Sequence, residues 1–201
     1  MGKVLVIYAS DYGHTKRAAE LVAMGAESVA DTFVRSRSAS QATADDVLDA
    51  DGLIIGSPVH MGSVHWQIKR FIDETLSGLW SRDLVVGRVG GVFTTGGGLG
   101  GAGGGSEFAM LSMLAVLAEL GMVLVPLPKS TEGFANAGLH WGPYARCGTP
   151  DGQQADLPDH SLPLLRAHGA NVARVASLAA RNSSRSILDR TRAHPLERNM
   201  P

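Results

Sequence analysis

Short apolar runs alternate with segments of helical periodicity along most of this chain, and this alternation constrains the fold more than any other sequence feature. The runs are too short for helices and are rich in Val, Ile and Leu, which is typical of buried strands. They cover residues 3–8, 32–35, 52–56, 89–94 and 122–125. Strands that alternate with helices predict a parallel sheet with helices on both faces.

Segments with apolar residues at helical spacing separate the predicted strands. They cover residues 15–29, 64–72, 107–120 and 159–181, whereas residues 36–46 are polar and are predicted to form a turn. Five strands with such connections predict a doubly wound α/β sheet of order 2-1-3-4-5.

One domain is expected to occupy residues 1–181. Residues 182–201 are polar and Arg-rich, and they are expected to form a mobile tail or a strap across a neighbouring chain.

The composition excludes several classes of protein. Eighteen basic and 19 acidic residues give a net charge of -1, so no surface for nucleic acid or an anionic membrane is predicted. The single cysteine, Cys147, cannot form an internal disulfide, and no zinc-type Cys/His spacing occurs. No apolar run approaches the ~18 residues that a membrane span needs. We therefore expect a cytoplasmic protein without a metal. Its very apolar helix 107–120 is buried by the chain itself or by another subunit of a homodimer or homotetramer.

Open α/β sheets bind ligands beyond the carboxyl ends of their strands, where the winding reverses. Three loops lie there, and we name them loop 1 (residues 9–15), loop 2 (57–63) and loop 3 (94–106). Loop 1 places small hydroxyl residues and a glycine at a helix start, where free amides and the helix dipole favour an anion such as a phosphomonoester. Ser10 or Thr15 could instead cap the helix, and this alternative stays open. The candidate residues are Ser10, Asp11, Tyr12, Gly13, His14 and Thr15.

Loops 2 and 3 are rich in residues that direct the backbone. Pro58 and Gly62 in loop 2 suit main-chain contacts to the edge of a flat heterocycle, or an ordinary strand–helix turn. Loop 3 holds eight of the 25 glycines within residues 96–105. Its G-x-G-x-x-G pattern matches a dinucleotide fingerprint, but the next strand ends in Pro126 instead of an acidic residue, and no further strand is predicted. The pattern is therefore interpreted as a coincidence.

At these loops the sequence resembles the WrbA-type NAD(P)H:quinone oxidoreductases, which are flavodoxin-like FMN proteins. The resemblance is carried by residues 3–15 and 56–63, by Gly78-Leu79-Trp80 and by the run from Thr94 to Gly98, and it extends in order from residue 3 to about 180. It implies a flavodoxin-like fold, FMN as the cofactor, NADH or NADPH as the electron donor and a quinone-like small molecule as the acceptor.

The resemblance also implies roles for single residues. Loop 1, from Ser10 to Thr15, would hold the FMN phosphate. The flavin ring and ribityl chain would lie between two sets of residues, which are Pro58, Val59, His60, Met61 and Gly62 in loop 2 and Thr94, Thr95, Gly96, Gly97 and Gly98 in loop 3. Tyr12, His60 and Trp80 would line the open face for nicotinamide and quinone. His60 stands where the family has Arg, and residues 100–105 lengthen loop 3 and are expected to form a flexible flap.

Two other functions stay open. The chain could be a flavodoxin-type electron carrier, although such carriers are usually strongly acidic and this chain is nearly neutral. It could also be a flavin-binding interaction protein without NAD(P)H activity.

Overall fold

The central sheet runs through a chain that the computed structural model describes over residues 1–98, 103–149, 151 and 153–183. In chain order the elements are β1 (Gly2–Tyr8), α1 (His14–Glu27), β2 (Thr32–Ser38), α2 (Ala44–Leu48), β3 (Gly52–His60), β4 (Ser63–Val64), α3 (Trp66–Phe71), a π-helical turn (Ile72–Leu76), α4 (Ser77–Trp80), β5 (Val89–Gly96), α5 (Ser106–Glu119), β6 (Val123–Leu124), α6 (Phe134–Ala137), β7 (Gly138–Leu139), β8 (Gly142–Arg146) and α7 (Ser161–Ser183).

The long strands are parallel and lie in the order β2-β1-β3-β5, with the fifth position beside β5. Side chains alternate between the two faces of each strand. On β1, Leu5 and Ile7 join a core with α2, α3 and α5, whereas Val4 and Val6 join a second core with α1 and α7. Because both faces are covered by helices, the predicted doubly wound α/β fold is confirmed.

Helices α1 and α7 cross at very short range. A Cβ at Gly25 would lie 1.9 Å from the carbonyl oxygen of Arg166, and one at Gly169 would lie 1.9 Å from that of Val22. Only glycine permits this approach from either side. The crossing anchors α1, whose first turn forms the end of loop 1.

The fifth position of the sheet differs from the prediction. The predicted strand 122–125 contributes only β6, which pairs with β5 at Val89 and Gly90. The rest of that edge is filled by β8, which pairs with Thr94, Thr95 and Gly96 and carries β7 on its other side. The expectation that no further strand follows residue 125 was wrong, because a glycine and a proline at the start of β8 hide the apolar pattern of a strand.

Smaller differences concern residues 36–46 and the tail. The segment predicted as a turn contains the end of β2 and the start of α2, where Thr43 and Asp46 form a capping box. Helix α7 extends to Ser183, so the predicted tail begins inside it, and its remainder lies outside the described residues. Residues 100–102 of the predicted flap also lie outside the described residues. Within the described part of the chain, none of the helices combines the length and the apolar character needed to cross a membrane.

Candidate functional site

A buried hydrogen bond joins loop 1 to loop 3. The Oγ1 atoms of Thr15, in the first turn of α1, and of Thr95, near the end of β5, lie 2.7 Å apart. Both residues are buried. Thr95 also pairs in register with Pro58 of β3. The carboxyl ends of β3 and β5 are therefore fixed next to the start of α1.

The first turn of α1 has no side-chain cap. Its N-cap residue is Gly13, with φ 92°. The Ser10 hydroxyl accepts from the amide of Gly13 at 3.1 Å, and the Thr15 hydroxyl bonds to Thr95, so neither caps the helix. The first amides of a helix have no partner within the helix. Of the two interpretations of loop 1, the geometry therefore favours anion binding over capping.

Loop 2 is a tight hairpin between β3 and β4. His60 pairs with Ser63, and the two residues between them, Met61 and Gly62, both have positive φ, 48° and 76°. Positive φ at both central positions is the signature of a type I′ turn, which matches the twist of the flanking strands. The Met61 side chain is fully exposed at the tip.

Glycines in loop 3 let this hairpin approach. A Cβ at Gly96 would lie 3.3 Å from Cβ of Val59, and one at Gly105 would lie 2.5 Å from Cα of Gly62. Gly105 is the N-cap residue of α5, with φ 96°. Gly105 therefore fixes the start of α5 against the loop 2 hairpin, and the flexible flap expected over residues 100–105 stays a prediction.

Asp11 links loop 1 to loop 2 through two histidines. Its Oδ2 lies 3.1 Å from Nε2 of His65 and 3.4 Å from Nε2 of His60. His65 is the N-cap residue of α3, and its Nδ1 accepts from the amide of Gln67 at 3.2 Å. A neutral imidazole that accepts through Nδ1 carries its proton on Nε2, so His65 donates to the Asp11 carboxylate.

The sequence did not indicate a site role for His65. It was not among the candidate site residues. Its side chain is nevertheless buried, with 1% exposed, and it forms a hydrogen bond with Asp11, which was a candidate. Its position immediately before a helical segment is the one available signal, because a side chain there can cap the helix.

Comparison with known proteins agrees with this geometry. The sequence model of the family described as flavodoxin domain matches residues 5–96. NAD(P)H dehydrogenase (quinone) of Paracoccus denitrificans (strain Pd 1222) is 33% identical over 201 residues, which cover 88% of this chain and 95% of that protein. The chain belongs to the WrbA-type, flavodoxin-like family. The predicted resemblance is thereby confirmed.

The chain is also similar to a solved WrbA-like structure and to a flavodoxin. A crystal structure described as a flavodoxin, WrbA-like protein from Agrobacterium tumefaciens has a TM-score of 0.67 and 26% identity, covering 89% of this chain and 99% of that one. A flavodoxin of Aquifex aeolicus (strain VF5) is 50% identical over 100 residues. That match spans 50% of this chain and only 53% of the flavodoxin.

Strand β8 supplies contacts to loop 3 of this WrbA-type protein that the sequence did not reveal. The Tyr144 hydroxyl donates to the carbonyl of Gly96 at 3.3 Å, and Arg146 Nε donates to that of Gly97 at 3.3 Å. The Cys147 amide also donates to Gly96, at 2.8 Å. Burial raises the pKa of the Cys147 thiol to about 12, so it stays protonated. These residues hold the backbone of loop 3 in place.

The three residues predicted to line the open face do not meet within one chain. Tyr12 and His60 lie on loops 1 and 2, and Tyr12 is 70% exposed. Trp80 ends α4, after which the chain turns back to enter β5 at its amino end. A crossover between parallel strands must return to that opposite edge. The role of Trp80 at the open face stays a prediction that would need a second copy of the chain.

Proposed function

We propose that this protein is an FMN-dependent oxidoreductase that transfers two electrons from NADH or NADPH to a quinone or a similar small aromatic acceptor. The observation that carries this proposal is the meeting of loops 1, 2 and 3 around an uncapped helix N-terminus. The printed name of the Paracoccus relative supports the same activity, because that similarity spans nearly both chains.

Loop 1 fits the phosphate of FMN. The amides of His14, Thr15 and Lys16 begin an uncapped helix, and such amides bind phosphate oxygens. A Cβ at Gly13 would meet no atom within 4 Å, so the space beside the loop is open. The Asp11 carboxylate forms a hydrogen bond with His65 and so points toward loop 2. Asp11 would therefore bind the phosphate through its backbone amide. Ser10 and Tyr12 would complete the loop.

Loops 2 and 3 would hold the flavin ring and the ribityl chain. Pro58 to Gly62 would form one wall and Thr94 to Gly98 the other. The Thr94 hydroxyl is buried and has no hydrogen-bond partner among the described residues. Buried hydroxyls are nearly always paired, so an unpaired one at this edge supports the presence of a bound group.

The reaction needs little acid–base chemistry from the chain. Bound FMN would supply the redox chemistry, accepting a hydride from the nicotinamide and returning two electrons to the acceptor. In total, NAD(P)H, one proton and a quinone give NAD(P)⁺ and a hydroquinone. Tyr12, which is 70% exposed, and the half-exposed His60 would border the open side of the site, where the nicotinamide and the quinone would bind in turn.

Anaerobic mixing of the FMN-loaded protein with NADH or NADPH tests this proposal. The visible absorbance of oxidised flavin should bleach with at least one donor and return when a quinone is added. Absence of bleaching with both donors would refute the proposed activity.

A flavodoxin-type electron carrier is the second candidate, and the 50% identity to the Aquifex flavodoxin favours it. A carrier passes single electrons to a partner protein. Titration with dithionite separates the two functions, because a carrier should pass through a stable one-electron stage and a two-electron oxidoreductase should not.

We also propose that the chain assembles as a homodimer or homotetramer. Helix α5 exposes Phe108 (74%) and Leu111 (41%) on one face. Neighbouring apolar side chains of this size commonly mark a protein–protein contact. Analytical ultracentrifugation should show a species larger than one chain.

A further inference from the structure

We propose that Asp11, His60 and His65 form a binding site for one divalent metal ion of the Zn²⁺ type. Each side chain comes from a different segment: loop 1, the end of β3 and the N-cap position of α3. Their donor atoms lie within 4.8 Å of one another. Among the described residues, no other group of three His, Cys, Asp or Glu side chains converges in this way.

The donor set selects the kind of metal. Two imidazole nitrogens and one carboxylate oxygen suit Zn²⁺ and similar transition metals, whereas Mg²⁺ and Ca²⁺ prefer oxygen ligands alone. The side chains of Asp11 and His60 are 43% and 39% exposed, whereas that of His65 is 1% exposed. Three protein ligands with an open side leave room for water as the fourth ligand.

The distances are close to those of an occupied site. Zinc–ligand bonds of about 2.0–2.1 Å place neighbouring ligand atoms of a tetrahedron about 3.3 Å apart. The two pairs that include Asp11 Oδ2 measure 3.1 and 3.4 Å. The two imidazole rings meet edge to face, with an interplanar angle of 71°. Only the separation between the two histidines must shorten, and the half-exposed His60 side chain has space to rotate.

The metal-free arrangement competes with binding but does not prevent it. His65 now carries its proton on Nε2, because Nδ1 accepts from the Gln67 amide. Metal coordination through Nε2 moves that proton to Nδ1 and breaks the capping hydrogen bond. Loss of such a bond lowers the affinity by about fivefold. The affinity gained from three converging ligands exceeds this fivefold loss. We expect a dissociation constant for Zn²⁺ in the micromolar range.

Calorimetric titration of the full-length protein with ZnCl₂ tests the proposal. The protein should carry no polyhistidine tag, and the titration should be run with and without FMN because the FMN phosphate also binds metals. We expect one Zn²⁺ per chain in both. Titration with Co²⁺ should give the strong visible absorption of a four-coordinate site. This readout does not depend on NAD(P)H oxidation, so it succeeds or fails independently of the proposed function.

Three variants locate the site. Asp11→Asn, His60→Gln and His65→Asn each remove one ligand and should weaken Zn²⁺ binding at least about tenfold. Asn at position 65 still caps α3, so that variant keeps the helix start. His160→Gln removes an exposed histidine far along the chain and should bind Zn²⁺ as the unchanged protein does.

Two results would overturn the proposal. One is the absence of saturable Zn²⁺ binding at concentrations up to about 1 mM, which corresponds to negligible affinity. The other is binding that survives all three ligand variants, since the ion would then be adventitious.

Discussion

The Oγ1 atoms of Thr15 and Thr95 lie 2.7 Å apart inside the protein, and this bond ties the first turn of α1 to the end of β5. The next residue back along β5, Thr94, has an equally buried hydroxyl that no described residue contacts by a hydrogen bond. Two adjacent threonines in one strand thus have opposite hydrogen-bonding states.

Replacement of each threonine by valine should separate these states. Thr95→Val leaves the Thr15 hydroxyl buried without a partner and should lower the free energy of unfolding by about 1–3 kcal/mol. Thr94→Val replaces an unpaired hydroxyl by a methyl group and should be neutral or stabilising, while it weakens FMN binding if that hydroxyl meets the cofactor. Urea denaturation and flavin fluorescence titration measure the two effects. Equal loss of stability in both variants would contradict the conclusion that only the Thr95 hydroxyl is hydrogen-bonded.

Gly13 and Gly105 offer a second matched pair. Both are N-cap residues of 14-residue helices, with φ of 92° and 96°. Alanine at either position bears the strain of positive φ, about 1–2 kcal/mol. Only Gly105→Ala also forces its Cβ to within 2.5 Å of Cα of Gly62. We therefore expect Gly105→Ala to lower the free energy of unfolding by at least about 1 kcal/mol more than Gly13→Ala.

The same comparison reports on the site. Gly13→Ala should lower the affinity for FMN more than Gly105→Ala does, because Gly13 lies in the loop that is proposed to bind the phosphate. Indistinguishable denaturation midpoints for the two variants would show that the hairpin does not press on the start of α5.

Arg88 should stabilise the fold from the opposite edge of the sheet. Its Nη1 lies 2.6 Å from the carbonyl oxygens of Val47 and Ala50 and 2.9 Å from that of Leu48, at the end of α2. Hydrogen bonds from a charged donor contribute about 1.5–3 kcal/mol, so Arg88→Met should lower the free energy of unfolding by about that much. FMN affinity should not change, because loops 1 to 3 lie at the other ends of the strands.

Arg82→Met is the control, since Arg82 is exposed. It should change the free energy of unfolding by less than about 0.5 kcal/mol. A loss as large as that of Arg88→Met would mean that the carbonyl contacts are not the cause.

His168 should make stability depend on pH. It lies in α7, fully buried against β5, and neither ring nitrogen has a hydrogen-bond partner of good geometry among the described residues. Burial lowers the pKa of His168 to about 4, although the nearby backbone of Val92 opposes the shift. Between pH ~6.5 and ~4 the unfolded chain therefore binds a proton that the folded chain excludes.

The sign follows from this difference. As the pH falls through that window, the free energy of unfolding should decrease by up to about 1.4 kcal/mol per pH unit on account of His168. His168→Leu removes this contribution, so its stability should decline less steeply than that of the unchanged protein. Denaturation at several pH values measures both slopes, and parallel slopes would contradict a neutral, buried His168.

The sheet order and its two covered faces were predictable because burial on both sides makes strands such as β1 and β3 continuous apolar runs. The helical segments that became α1, α3, α5 and α7 also followed from periodicity, whereas the short helices α2, α4 and α6 did not. Strand β8 was not predictable, since Gly142 and Pro143 are atypical of strands and its pairing with β5 depends on contacts distant in sequence. Local pattern carries no information about such pairing.

The candidate site was predictable as loops but not as contacts. Topology brings loops 1, 2 and 3 to one edge, so Ser10, His60 and Thr95 could be proposed from their position after a strand. The bond between Thr15 and Thr95 and the link from Asp11 to His65 join residues 80 and 54 positions apart. Trp80 shows the converse, because its motif matched while the crossover placed it at the other edge.

One edge of β5 is completed by two separate segments, β6 at Val89 and Gly90 and β8 from Thr94 to Gly96. Local opening can therefore release one half of that edge while the other stays paired. In hydrogen exchange, the amides along this single edge should fall into two classes with independent opening rates. The half that pairs with β8 borders loop 3. Transient separation of β8 from β5 would therefore give a small molecule access to the site, while β5 stays paired with β6 at its amino end.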